Sequence, residues 1–92
     1  MNEIKQGHHK FFIGDNENQP IAEITYQPKD DNTIIVDHTY VSEQLRGQGI
    51  AGNLVKVMTD FARKEGKKIV PKCPYVEKKM NHNKEYHDLI AE

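Results

Sequence analysis

A glycine-rich turn at residues 44–54, with the sequence QLRGQGIAGNL, carries the residue types best suited to bind a ligand. Gly47, Gly49 and Gly52 fall within six positions, and helical apolar spacing follows at once. Glycine admits positive φ and leaves the main-chain N–H groups accessible. The first N–H groups of a helix have no acceptor inside the helix and lie at the positive end of its dipole. We therefore predict an anion site, and pyrophosphate is our hypothesis for the anion.

Two other phosphate-binding motifs fit this turn less well. A Walker loop requires Gly-Lys-Ser/Thr, and no such triplet follows Gly49. The pattern G-x-G-x-x-G of dinucleotide-binding proteins is satisfied by Gly47, Gly49 and Gly52. That motif, however, needs a parallel βαβ unit and an acidic residue about 20 residues further on. Here an apparent meander precedes the turn, and Lys67 and Lys68 stand in the region of the acidic residue.

The spacing Arg46-x-x-Gly49-x-Ala51, behind the strand-like run 33–42, resembles the acetyl-CoA signature R/Q-x-x-G-x-G/A of the GNAT superfamily of N-acetyltransferases. Three further segments resemble those of a small GNAT-like subfamily of about this length. The segments are His38-Thr39-Tyr40-Val41, Cys73-Pro74-Tyr75 and residues 85–89. The resemblance covers roughly residues 8 to 91. It implies one acetyl-CoA-binding domain over residues 1–92.

The resemblance also implies how the cofactor acetyl-CoA would lie. In this superfamily the strand before the loop and the strand after the helix run parallel and then splay apart. The pantetheine arm enters between them as a substitute strand, pairing with the backbone of Tyr40 and Val41. Main-chain N–H groups of the loop would hold the pyrophosphate, and the residues concerned are Arg46, Gly47, Gln48, Gly49, Ile50 and Ala51.

Acetyl transfer to an amine needs a base for the amine and an acid for the departing thiolate. His38 is the candidate base, because imidazole exchanges protons near neutral pH. The alternative is a strand histidine hydrogen-bonded to its surroundings. Many members use a tyrosine after the last strand as the acid, and Tyr75 and Tyr86 are the candidates here. The alternative for each is a tyrosine anchored in the core. Asp37 and Glu23 are weaker candidates.

Cys73 is the main departure from the larger enzymes. It follows the returning strand, next to Lys72 and ahead of a predicted helix N-terminus, and such surroundings favour a thiolate. The thiolate could accept the acetyl group as a covalent intermediate. A buried small hydrophobic residue is the other interpretation. No metal site is predicted, because His82 and His87 at i and i+5 do not share a helix face.

The predicted fold class is α+β, with a mostly antiparallel sheet of about four strands, a splayed parallel pair, one long helix and one or two short C-terminal helices. Strands are predicted at 9–13, 21–27, 33–42 and 68–72, and the first three form a meander. The long helix is predicted from Gly49 to Glu65, with apolar residues three and four apart and Gly66 after its end. Residues 75–81 and 83–91 are predicted as short helices, with Asn83 as an N-cap.

Composition limits the function classes. The 92 residues carry a net charge of −1, yet residues 44–84 hold 10 Lys or Arg against 3 Asp or Glu, which suits a phosphate-rich ligand. Nucleic acid is not expected as a partner, because the whole chain is not basic and no aromatic residues stand among the lysines. A membrane span and a signal peptide are not expected either, and one cysteine allows no internal disulfide, so the cytoplasm is the predicted location.

The function predicted from sequence is acetyl transfer from acetyl-CoA to a small amine or an exposed peptide amine. A non-catalytic acetyl-CoA-sensing module and transfer through a Cys73 thioester are the alternatives. No stretch indicates the acceptor. A homodimer would support a core this small, and the oligomeric state is left open.

Overall fold

The computed structural model describes residues 3–91, and these form a five-stranded sheet covered on one face by helices. The strands are β1 (Lys5–Gly7), β2 (Lys10–Ile13), β3 (Ala22–Asp30), β4 (Thr33–Val41) and β5 (Lys68–Pro71), and the helices are α1 (Ile50–Lys64) and α2 (Pro74–Asn81). Two 3-10 helices span Glu43–Leu45 and Lys84–Leu89. The strands lie in chain order; β1 to β4 are antiparallel, and β5 runs parallel to β4.

The predicted α+β class, the meander and the parallel pair are confirmed, with one strand more than expected. The additional strand is β1, which sequence reasoning missed because Lys5-Gln6-Gly7 has no apolar alternation. Its pairing with β2, from Lys5 opposite Phe12 to Gly7 opposite Lys10, makes it a strand. The last predicted helix is confirmed as a 3-10 helix, Lys84–Leu89, with Asn83 at its N-cap position. The side chain of Asn83 does not cap it, because its Nδ2 donates to the Lys79 carbonyl over 2.6 Å.

Helix α1 packs its apolar stripe on β2 to β5, as its residue spacing predicts. Leu54, Met58 and Ala62 are buried against inward residues of the sheet such as Ile24 and Val36. The C-terminal end of α1 is a Schellman motif, in which Gly66 (φ 69°) donates to Arg63 and Lys67 donates to Ala62. The predicted role of Gly66 as the terminating glycine is confirmed.

Replacement of Leu54 by Ala is expected to lower the free energy of unfolding by about 2–5 kcal/mol. Leu54 is fully buried between α1 and the sheet, and so small a domain has little stability in reserve. Urea denaturation followed by circular dichroism measures the change. The exposed neighbour Asn53, replaced by Ala, is the control, and an equal loss in both variants would contradict this assignment of the core.

Candidate functional site

The glycine turn adopts a conformation that only glycine takes without strain. Gly47 has φ 83° and Gly49 has φ 74°, both in the left-handed region. A methyl group added at either position would meet no heavy atom within 4 Å, so backbone conformation rather than crowding requires glycine here. The consequence is an open main-chain surface directly ahead of α1.

Six consecutive N–H groups on this surface have no acceptor among residues 3–91. They belong to residues 47–52, and the first hydrogen bond of α1 is donated by Asn53 to the Gly49 carbonyl over 3.1 Å. Residues 47–49 are exposed, so their N–H groups are open to solvent and to a ligand. Together with the N-terminal end of a 15-residue helix, these donors form an anion cradle.

A cavity of about 160 Å³ lies against this cradle. Its walls come from the end of β4, the loop, the first turn of α1 and the start of α2, namely Val41, Leu45, Arg46, Gly47, Gly49, Ile50, Ala51, Gly52 and Tyr75. Six of the eight residues predicted for the cofactor site therefore meet at one cavity; Tyr40 and Gln48 are not part of its wall.

Arg46 differs from the other loop residues. Its N–H group donates to the Glu43 carbonyl over 3.2 Å and closes the 3-10 turn, so it is not free for an anion. Its guanidinium Nε donates to the Val41 carbonyl over 3.2 Å. Arg46 can reach a ligand only through its side chain, whereas the prediction assigned it a main-chain contact.

Strand β4 is longer than β5, and a gap opens where they part. The two strands pair from Thr33 opposite Lys68 to Val36 opposite Pro71. Beyond that point the Val36 carbonyl accepts hydrogen bonds from Lys72 N at 2.9 Å and Cys73 N at 3.1 Å, and the chain turns into α2. Residues 38–41 of β4 thus pair with β3 on one side and, among residues 3–91, with no strand on the other.

A β-bulge decides which main-chain groups face this gap. Thr25 pairs with His38 and Tyr26 with Val36, so Asp37 is the extra residue on β4. Ser42 N donates to the Ile21 carbonyl on the β3 side. Since successive residues alternate, the N–H and C=O groups of Thr39 and Val41 point into the gap and those of Tyr40 point to β3. Sequence reasoning named Tyr40 and Val41, and it missed Thr39 because the bulge leaves no mark in the sequence.

His38 lies on the exposed face of the sheet, immediately after the bulge. Its Nε2 is 3.7 Å from Oε2 of Glu23, and the side chain of His38 is 56% exposed. The other oxygen of Glu23 accepts from Lys10 Nζ at 2.9 Å. Asp37 is engaged separately, accepting from the Thr25 hydroxyl at 2.6 Å. Glu23 therefore holds a carboxylate beside the imidazole of His38 while its other oxygen is bound to Lys10.

Cys73 lies on the opposite face of β4, inside the core. It is buried at the N-terminal end of α2, and its Sγ is 3.3 Å from the hydroxyl of Thr39. Thr39 and His38 are consecutive strand residues and point to opposite faces. The candidate base and the candidate thiol thus flank β4 from its two sides.

The two tyrosines named as candidate acids are in different environments. Tyr75 is 41% exposed and lines the cavity of the loop. Tyr86 is 7% exposed, belongs to the hydrophobic core, and does not line that cavity. Of the two, Tyr75 is the one that lines the cavity shared by six of the predicted cofactor residues.

One cluster was not anticipated from the sequence. Tyr75 also lines a second cavity together with Lys78, Lys79, His82 and Asn83. Helical spacing puts positions 75, 78, 79 and 82 on one face, but a pair of lysines on a short helix is ordinarily part of a solvated surface.

Among residues 3–91 no helix is long and apolar enough to cross a membrane.

Fold and site define a small α+β domain with a glycine-rich turn ahead of α1, beside the gap between β4 and β5. A family model described as GCN5-related N-acetyl-transferase matches residues 10–89, and the chain belongs to this family. A GCN5-like protein from Staphylococcus aureus, solved by NMR, shares 43% identity and superposes with a TM-score of 0.82, covering 97% of this chain and 87% of that one.

Two further relatives are larger than the matched region. The protein NATD1 of Xenopus tropicalis is 34% identical over 62 residues, which make up 67% of this chain and 57% of NATD1. The GNAT family N-acetyltransferase YhbS from Escherichia coli, solved in complex with CoA, is 26% identical with a TM-score of 0.55, over 65% of this chain and 37% of YhbS. The chain therefore spans little more than half of NATD1 and well under half of YhbS.

Proposed function

We propose that this chain is an acetyl-CoA-dependent N-acetyltransferase that acts as a single domain over residues 1–92 and transfers acetyl to an amine. The observation that carries the proposal is the run of six acceptorless N–H groups at residues 47–52, placed beside the gap between β4 and β5. Membership of the GCN5-related family makes acetyl-CoA the cosubstrate, and the CoA held by YhbS supports the same assignment. The cytoplasm is the proposed location.

The residues of the site fit such a ligand along its length. The free N–H groups of residues 47–52 would hold the pyrophosphate. The main-chain groups of Thr39 and Val41 in the gap would pair with the amides of the pantetheine arm, as an added strand pairs with a sheet edge. Because the cradle is made of backbone, side-chain changes at Gln48 or Arg46 should affect binding less than changes at the glycines.

When bound, acetyl-CoA supplies an activated thioester, and the protein supplies proton transfer and orientation. We assign His38 as the base that takes the proton of the amine, with the Glu23 carboxylate 3.7 Å from its Nε2. Tyr75, which is 41% exposed and lines the loop cavity, is our candidate for the acid that gives a proton to the departing thiolate. Tyr86, buried in the core, is assigned no step.

An NMR titration of labelled protein tests the binding half of the proposal. Acetyl-CoA, CoA and NAD are added in parallel, and amide shifts are expected for residues 39–54 and around Cys73 with both CoA compounds but not with NAD. An assay of thiol release with a panel of small amines and peptides then tests transfer. Binding without transfer to any amine would favour a sensing module, and silence with both CoA compounds at millimolar concentration would reject the proposal.

A route through Cys73 is the second candidate, favoured by the 3.3 Å contact between Cys73 Sγ and Thr39 in the gap. In that route the thiolate attacks the thioester carbonyl, CoA leaves as a thiolate that takes up a proton, and the amine then displaces Cys73.

Direct transfer predicts that replacement of Cys73 by Ala changes the rate of acetyl transfer by less than about three-fold, since removal of a group with no chemical role leaves transition-state binding unchanged. Steady-state turnover with the best amine measures the effect, and the affinity for acetyl-CoA checks that the site remains intact. Loss of turnover with affinity retained would establish the thioester route instead. Mass spectrometry of the wild-type protein after incubation with acetyl-CoA alone should show no added acetyl group.

A further inference from the structure

Helix α2 presents a polar face alongside its buried one. Val76 and Met80 face the core. Tyr75, Lys78, Lys79 and His82 stand at positions i, i+3, i+4 and i+7 and so line one side of the helix. These four residues and Asn83 line an open cavity of about 390 Å³, more than twice the volume of the cavity at the loop.

The α2 cavity adjoins the loop cavity. Tyr75 belongs to the walls of both. A methyl group placed on Gly52, in the first turn of α1, would lie 3.6 Å from Lys79 Nζ and 3.9 Å from the Tyr75 hydroxyl. Gly52 thus brings α2 close to α1, and the ammonium group of Lys79 is held over the helix end that carries the anion cradle.

The two lysines of this cavity carry charge that the described part of the chain does not neutralise. Among residues 3–91, no carboxylate oxygen lies within 4.0 Å of Lys78 Nζ or Lys79 Nζ. Lys79 is only partly exposed, and the Asn83 side chain fixes the end of its helix by donating to the Lys79 carbonyl. Two ammonium groups and an imidazole around an open volume favour a second anion.

We propose that the α2 cavity binds the 3′-phosphate of coenzyme A, with Lys79 and Lys78 as its cationic contacts. This rests on the proposed function, since it extends the ligand from the pyrophosphate cradle. The ribose of coenzyme A carries both the 3′-phosphate and the pyrophosphate, so the two groups must bind at neighbouring sites. The α2 cavity and the loop cavity are neighbours, because Tyr75 lines both. Lysine serves as a point charge for phosphate without a fixed geometry, which suits a site open to water.

The test compares CoA with 3′-dephospho-CoA, which differ only in the 3′-phosphate, by isothermal titration calorimetry. The wild-type chain should bind CoA roughly five- to ten-fold more tightly, the size expected for two partly solvated ion pairs. The double variant K78Q/K79Q should lose that preference and bind 3′-dephospho-CoA as the wild type does, which also shows that it is folded. Raising the salt concentration should narrow the preference in the wild type.

The matched control is K29Q/K64Q, which removes the same charge from the far end of the β3–β4 hairpin and the last turn of α1. It should keep the full preference for CoA. Equal binding of the two compounds by the wild type, or an equal loss of preference in both double variants, would overturn the 3′-phosphate site while leaving the acetyl-CoA proposal intact. Absence of binding by either compound would overturn both.

Discussion

Replacement of Gly49 by Asp is expected to lower the affinity for acetyl-CoA by roughly 100-fold. Gly49 is the N-cap of α1, with φ 74°, in the centre of the acceptorless N–H groups. A carboxylate about 4 Å from a phosphate costs about 4 kcal/mol at an effective dielectric constant near 20. Water over this exposed loop reduces the cost to about 2.5 kcal/mol, which corresponds to the stated loss. Isothermal titration calorimetry with acetyl-CoA measures it.

The control for this substitution is Gly49→Asn. Asparagine and aspartate have nearly the same shape, and both tolerate the left-handed conformation better than other non-glycine residues. The two variants therefore differ in charge alone, and Gly49→Asn should lose only a few-fold in affinity. Equal affinities would show that no anionic group binds near residue 49, and urea denaturation of both variants checks that α1 is retained.

Replacement of His38 by Gln is expected to lower kcat about 100-fold, the lower end of what general bases contribute, with the affinity for acetyl-CoA unchanged. His38 lies on the open face of β4, away from the loop cavity, so a binding defect is not expected. The loss should shrink as the pH rises, because the amine then loses its proton without help. Turnover between pH 6 and pH 9 measures both effects.

His8→Gln is the matched control, since His8 is also exposed but lies in the β1–β2 turn. It should keep the turnover and pH profile of the wild type. A His38 variant that is as active as wild type across this range would remove His38 from the mechanism and leave Glu23 as the next base to replace.

The parts of this structure that depend on local chemistry could be predicted from the sequence. The left-handed conformation at Gly47, Gly49 and Gly66 is one that glycine permits beside a helix end, and the core face of α1 follows from spacing. The predicted limits of α1, Gly49 to Glu65, differ from Ile50–Lys64 by one residue at each end. Each of these features is decided within a few residues of chain.

The parts that depend on distant segments could not be predicted. Strand β1 exists only because β2 offers it a partner, and the Asp37 bulge is a mismatch between two strands that leaves no trace in either. The bulge reverses which of Thr39 and Tyr40 faces the gap, so main-chain roles read from the motif shift by one residue. Lys79 comes close to the first turn of α1 only because α2 packs beside Gly52.

The unpaired side of β4 at residues 37–41 also has a consequence for the ligand-free protein. It is a sheet edge in the interior of the strand order, and exposed edges recruit other extended chains. A coenzyme that pairs with this edge would therefore act as a folding partner as well as a reactant, because a ligand that binds only the native state stabilises it by mass action. In a cell, the concentration of coenzyme would then determine the fraction of this protein whose β4 edge is unoccupied and able to pair with other chains.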